Sequence, residues 1–157
     1  MSGASTASIK FTEFYSHVAD RKKEKQAPLA EIAAAIRGTT AREKALLPWI
    51  KLATFGEART DKGSLRHDAN LLTITGVEAD YDGGLVNFGT AHERLENQGL
   101  ASIVYTSPGH AGARPRWRVL CPLSDGMPPS RRTHMMGRLN GLFGGIFAGE
   151  SWTLSKS

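Results

Sequence analysis

The run Leu71-Leu72-Thr73-Ile74-Thr75-Gly76-Val77-Glu78-Ala79-Asp80-Tyr81-Asp82 decides how this chain is read. Residues 71–77 are rich in apolar and β-branched side chains, which suits a strand, and Gly83-Gly84 stops the run. On a strand, residues i and i+2 project from one face. Asp80 and Asp82 then stand side by side, and Glu78 extends the same row. Neighbouring carboxylates repel, and each costs free energy when buried without a partner. A cation between them relieves both costs. Hard divalent ions take oxygen ligands, and Mg2+ is commonly held by one or two carboxylates plus substrate phosphates. The same pattern also suits a strand end leaving the core, with its acids in solvent ahead of a glycine turn.

Downstream, residues 91–98 read as a helix, with Thr90 as cap, Glu93 three residues later and Gly99 at its close. Residues 101–107 read as a buried strand, Pro108-Gly109 as a turn, and residues 116–123 as a third strand. Pro128-Pro129 introduces a helix over residues 130–142, which Gly144-Gly145 ends. Upstream, residues 57–70 are charged and aperiodic and read as a loop or flap. Residues 49–55 fit a strand or irregular chain, and residues 41–47 a short helix. Pro28 opens a helix with Leu29, Ile32, Ala33 and Ile36 on one face, ended by Gly38. Arg21, Lys22, Lys23 and Lys25 read as a solvated polar stretch, residues 9–15 as a first strand, and residues 1–7 as a loose terminus. A tight turn between two strands favours antiparallel pairing, so the fold class is α+β with helices on one face of the sheet.

The 157 residues fit one domain. The lone Cys121 excludes an internal disulfide and a cysteine-rich zinc site, and its apolar neighbours place it in the core. No apolar run approaches the ~18–20 residues of a membrane span, and there is no signal-peptide core, so the expectation is a soluble, cytoplasmic protein without a membrane partner. The net charge of +5 is unevenly placed. Residues 1–100 hold 13 lysines and arginines and 13 acids. Residues 101–157 hold seven cations, six of them arginines, and two acids. Arginine binds phosphate bidentately, so this surplus favours an anionic ligand.

Two more groups bear on that ligand. His110 follows the 101–107 strand at a turn, where a histidine can bind phosphate or donate a proton. Arg116 and Arg118 share a strand face, flanked by Arg114, while Trp117 points into the core. The pair suits a triphosphate or nucleic-acid backbone, and it equally suits pairing with the acids of a neighbouring strand. Arg131, Arg132 and Arg138 on the last helix fit backbone tracking or plain solvation. There is no phosphate-binding P-loop, no GxSxG nucleophile motif, no paired metal histidines and no aromatic signature of RNA-recognition modules.

Residues 72–82 (LTITGVEADYD), 103–110 (IVYTSPGH) and 116–124 (RWRVLCPLS), in this order and spacing, resemble the archaeo-eukaryotic primase superfamily. The likeness is to the primase-polymerase-like domains of phage and plasmid replication proteins and covers about residues 71–142. It implies an RRM-like, mostly antiparallel sheet with helices packed on it and a small N-terminal α/β unit, over residues 8–157 as a single domain. It implies a metal-dependent, template-directed nucleotidyltransferase of DNA replication. Asp80 and Asp82 would hold two divalent ions, Mg2+ or Mn2+. His110 would contact the phosphates of the incoming nucleotide, and Arg116 or Arg118 would neutralise its triphosphate. The partners would be nucleotides, a single-stranded DNA template and a helicase domain or subunit.

The chain departs from that pattern in three ways. The family places a serine two residues before the histidine, where this chain has Pro108, with Ser107 one step earlier. The third acid of the family has no clean counterpart; Asp125 and Glu150 are the candidates. A last strand would run about where residue 157 stands, so a module cut short at its C-terminal end is expected. The alternative reading is a non-catalytic domain of the same fold that binds single-stranded nucleic acid. A third is an interaction domain whose acids and arginines pair with each other.

Overall fold

The computed structural model describes residues 7–155. The loose terminus expected over residues 1–7 therefore falls, but for Ala7, outside the described residues. Strand β1 (Ser8–Phe14) pairs antiparallel with β2 (Lys22–Pro28) and with β3 (Trp49–Lys51). Helix α1 (Leu29–Gly38) follows β2 directly, as Pro28 predicts. The second sheet contains β4 (Ala53–Phe55), β5 (Leu71–Tyr81), β6 (Ile103–Thr106) and β7 (Trp117–Met127) in the order β4-β5-β7-β6, with every pairing antiparallel. Helix α2 (Phe88–Asn97) precedes β6, and α3 (Arg132–Leu142) follows β7. The α+β class stands, with two antiparallel sheets and three α-helices among the described residues.

The basic stretch at residues 21–25 is exposed or half-buried, as a solvated surface would be, and it runs into an edge strand that its composition did not signal: Lys22–Pro28 is in register with β1 from Phe14↔Lys22 to Ser8↔Pro28. Lysines belong on such an edge, because their charge discourages pairing with a further strand. The α2 cap also differs. Asn87 caps the helix, its Oδ1 accepting from the Thr90 amide at 2.8 Å, so the helix starts a turn earlier than a Thr90 cap would allow. Gly99 does close it, at φ +66°, a conformation open to glycine.

The four-stranded sheet is buried on both faces. On one, Val77, Ala79 and Tyr81 of β5 and Trp117, Val119 and Cys121 of β7 pack under Ala91 and Leu95 of α2 and Met136 and Leu139 of α3. Trp117 is fully buried, with Tyr81, Phe143 and Phe147 rings 4.8–5.8 Å away, and its indole N–H donates to the Val86 carbonyl at 2.9 Å. Truncating such a residue costs about 3–5 kcal/mol. On the other face, Leu120 and Ile103 meet Ile9, Phe11, Ile32 and Leu52 of the N-terminal unit. Gly76 permits this close approach: a Cβ there would lie 2.7 Å from the Cys121 carbonyl oxygen and 2.9 Å from the Leu52 Cβ.

β4 pairs only with residues 71–74 of β5. Beyond that point the chain after α3 covers the β5 edge. The Ala148 amide donates to the Asp80 carbonyl at 2.9 Å, and the Asp80 amide donates to Ser151 Oγ at 2.9 Å.

Candidate functional site

The acidic row on β5 divides into three environments. Glu78 is fully buried. Its carboxylate pairs with Lys51 and with Arg132 at 3.1 Å, and accepts from the Leu52 amide at 3.0 Å. Burial by itself would raise the Glu78 carboxyl. The two cations and the hydrogen bonds outweigh it and hold the group at about 2. Burial lowers Lys51 to about 8, against the opposing pull of Glu78. Glu78 is thus a structural ion-pair residue and does not extend a metal-binding row, because its oxygens are already spoken for. Arg132 is corrected likewise. It does not track a backbone or solvate a helix; it is fully buried and also donates to the Ser151 carbonyl at 2.8 Å.

Asp80 is largely covered and faces its cross-strand partner Arg118. The contact is bidentate, with Arg118 Nε at 2.6 Å from Oδ1 and Nη2 at 2.8 Å from Oδ2. The Asp80 bond raises Arg118 above the ordinary guanidinium range, although burial opposes it. Planar fork against carboxylate is the strongest common ion-pair geometry. Asp82, just past the strand, is half exposed, and its Oδ1 lies 3.9 Å from Arg116 Nε. That Nε is buried and has no hydrogen-bond partner.

His110 closes the same rim. Its amide donates to the Ser107 carbonyl at 2.9 Å, which forms the turn, and its Nδ1 accepts from the Arg116 amide at 3.2 Å. In the neutral ring, accepting at Nδ1 puts the proton on Nε2 and makes it a donor. The Pro108-Gly109 turn also leaves space for Arg116, since a Cβ on Gly109 would lie 3.0 Å from its Nη1. Asp80 with Arg118, and Asp82 with Arg116 and His110, therefore form two contact groups at one end of the sheet. The acids and arginines pair across the strands, as one of the open readings allowed.

The expected third acid is not among them. Asp125 is exposed near the far end of β7, where Met127 pairs with Ile74. Glu150 is exposed on the segment that covers β5 and makes no ion pair with the rim. Among the described residues no three histidines, cysteines or acids lie together as a metal group. Asp80 and Asp82 are hard oxygen donors of the kind Mg2+ and Mn2+ take, but Arg118 holds both oxygens of Asp80. Cys121 is buried and pushed up to about 12 by burial, which agrees with a core thiol.

Sequence reasoning missed the groups behind this rim. Tyr105, opposite Arg118 on β6, is raised above its ordinary range by burial. The Arg118 guanidinium carbon lies 5.8 Å from the Trp49 ring centroid, and that of Arg66 lies 4.4 Å from the same ring. No periodicity marks Trp49 or Arg66, because both lie in short or irregular segments. Among the described residues no helix is long and apolar enough to cross a membrane. No protein-family model, curated protein or solved structure is significantly similar to the chain.

Proposed function

We propose that this chain is a nucleotidyltransferase domain of the primase-polymerase type, with its working site at the Asp80–Asp82–His110–Arg116–Arg118 rim. The observation that supports it is convergence: three segments separated in sequence bring their polar residues to one end of the sheet, as an Asp80–Arg118 pair beside an Asp82–Arg116–His110 group. An RRM-like arrangement of the four-stranded sheet belongs to the same reading. Asp82 and one oxygen of Asp80 would hold a divalent ion, which when bound would neutralise charge at the reacting phosphorus. Arg118 exchanges its carboxylate partner for a triphosphate oxygen. Arg116, beside Asp82, presents the exposed part of its guanidinium to the same group, and His110 donates through Nε2. Phosphoryl transfer depends mainly on positioning and charge neutralisation, and these residues supply both.

The bidentate Asp80–Arg118 pair and the missing third acid favour a second reading, a domain that binds single-stranded nucleic acid without chemistry. Incubation with a single-stranded DNA template, labelled nucleotides and Mn2+ or Mg2+ separates the two. Metal-dependent strand extension that is lost in the Asp80→Ala, Asp82→Ala double variant supports the transferase. Salt-sensitive template binding that persists in the variant, with no extension by either protein, supports the binding domain. Absence of both binding and extension sinks both.

A further inference from the structure

The loop between β4 and β5 carries a cation that the rim chemistry has not used. Arg66 stacks on Trp49 at 4.4 Å and approaches the Phe14 ring at 5.9 Å. Arg118 lies against the same Trp49 ring at 5.8 Å. The two guanidinium groups thus share one indole. Arg118 has Asp80, whereas the Arg66 guanidinium makes no ion pair or hydrogen bond with any described residue. Burial lowers its pKa, and the Arg118 charge lowers it further.

Its position is fixed by the backbone. Leu65 is buried, its amide donates to the Ala19 carbonyl at 2.8 Å, and its carbonyl accepts from Asn70 Nδ2 at 2.7 Å. The Arg66 amide donates to Ser64 Oγ at 3.2 Å. Arg59 ties the loop base, donating to the Asp20 and Gly63 carbonyls at 2.7 and 2.9 Å. A half-buried arginine held beside a second arginine, with one carboxylate between the two, is short of negative charge. Stacking on an indole orients the planar fork while leaving its N–H edges free.

We propose that Arg66 is a phosphate-binding residue, which with Arg118 takes the triphosphate of a nucleotide beside the Trp49 ring. The inference deepens the functional reading above and rests on it. A triphosphate is preferred to a template phosphate because Arg118 joins the arginine pair directly to Asp80. Multiple negative charges also match two adjacent cations better than the single charge of a backbone phosphate does.

The test is binding of inorganic triphosphate and of ATP, read by tryptophan fluorescence and by thermal upshift, with a single-stranded oligonucleotide as a parallel arm. Arg66→Gln should weaken triphosphate and ATP binding by about 10- to 100-fold, the loss expected for charged hydrogen bonds. Arg66→Lys should recover part of that loss. Trp49→Phe should remove the fluorescence response while a thermal upshift remains. Because Arg66 packs on two rings, the unliganded melting temperature of each variant is recorded, and Arg66→Lys carries the test if Arg66→Gln fails to fold. The proposal is overturned if the wild-type protein binds triphosphate and Arg66→Gln and Arg66→Lys bind it equally well. It is also overturned if only oligonucleotide binding weakens, which assigns Arg66 to the strand. If the wild-type protein binds neither triphosphate nor oligonucleotide, the functional reading itself falls with it.

Discussion

Glu78 and Asp82 stand four residues apart in the same row of one strand and its extension, yet they belong to different parts of the molecule. Glu78 is sealed between Lys51 and Arg132, with no water contact and a backbone amide on its second oxygen. Asp82 is half exposed and touches Arg116 only at 3.9 Å. Asp80 lies between them in position and in cover. Moving along β5 thus changes an acid from a core ion pair into a solvent-facing group. Identical chemistry at identical spacing serves stability at one end and remains open to a ligand at the other. What decides is the neighbouring chain, since Lys51, Leu52 and Arg132 cover Glu78 and nothing comparable covers Asp82.

The largest test of that contrast is Glu78→Gln. It strands two cations in the core, so the protein should lose about 3–5 kcal/mol, read as the shift in a urea unfolding curve. A loss under 1 kcal/mol would break the distinction. The second test is pH. Glu78 sits at about 2 in the folded protein against its ordinary 4.5. The unfolded chain therefore binds the proton first as pH falls, and this stabilisation is present above 4.5 and fades towards 2. Lys51 acts at the other end. At about 8 against 10.5, the unfolded chain holds the extra proton, so the penalty of burying a charged lysine is present below 8 and is relieved as pH rises towards 10.5. Urea midpoints at pH 3, 6 and 9 should show the acid loss in the wild-type protein and a weaker one in Glu78→Gln. The smallest effect on folding belongs to Asp82→Asn. An exposed acid with a long contact should move stability by less than about 0.5 kcal/mol, whereas on the proposed function the substitution should abolish any metal-dependent extension. A variant that folds poorly would place Asp82 with Glu78.

Much of the sheet was legible from residues alone. β5 and β7 follow from their apolar, β-branched composition, and α1 from Pro28 and its apolar face. β2 was not legible, because Lys22–Lys25 look like solvent-exposed chain until β1 supplies their hydrogen bonds. The polar rim was recognised residue by residue, and the pairing of Asp80 with Arg118 stood among the open readings. The burial of Arg132 was hidden, since its partner Glu78 lies 54 residues away and nothing local distinguishes it from Arg131 or Arg138. Arg66 and Trp49 were missed for a related reason. Cation–aromatic stacking between separate segments leaves no period in either.

The cover over the β5 edge has a consequence for how the protein is made. The Asp80 amide finds its partner in Ser151, 71 residues later in the chain. As the chain emerges, β5 can pair with β7 before residues 148–151, which begin 21 positions after Met127, reach the sheet. During that interval its outer edge presents free amide and carbonyl groups, which another nascent chain can match. The cover over the acid row is thus added last, and the interval in which the edge stays unguarded is set by the stretch of chain between β7 and Ser151.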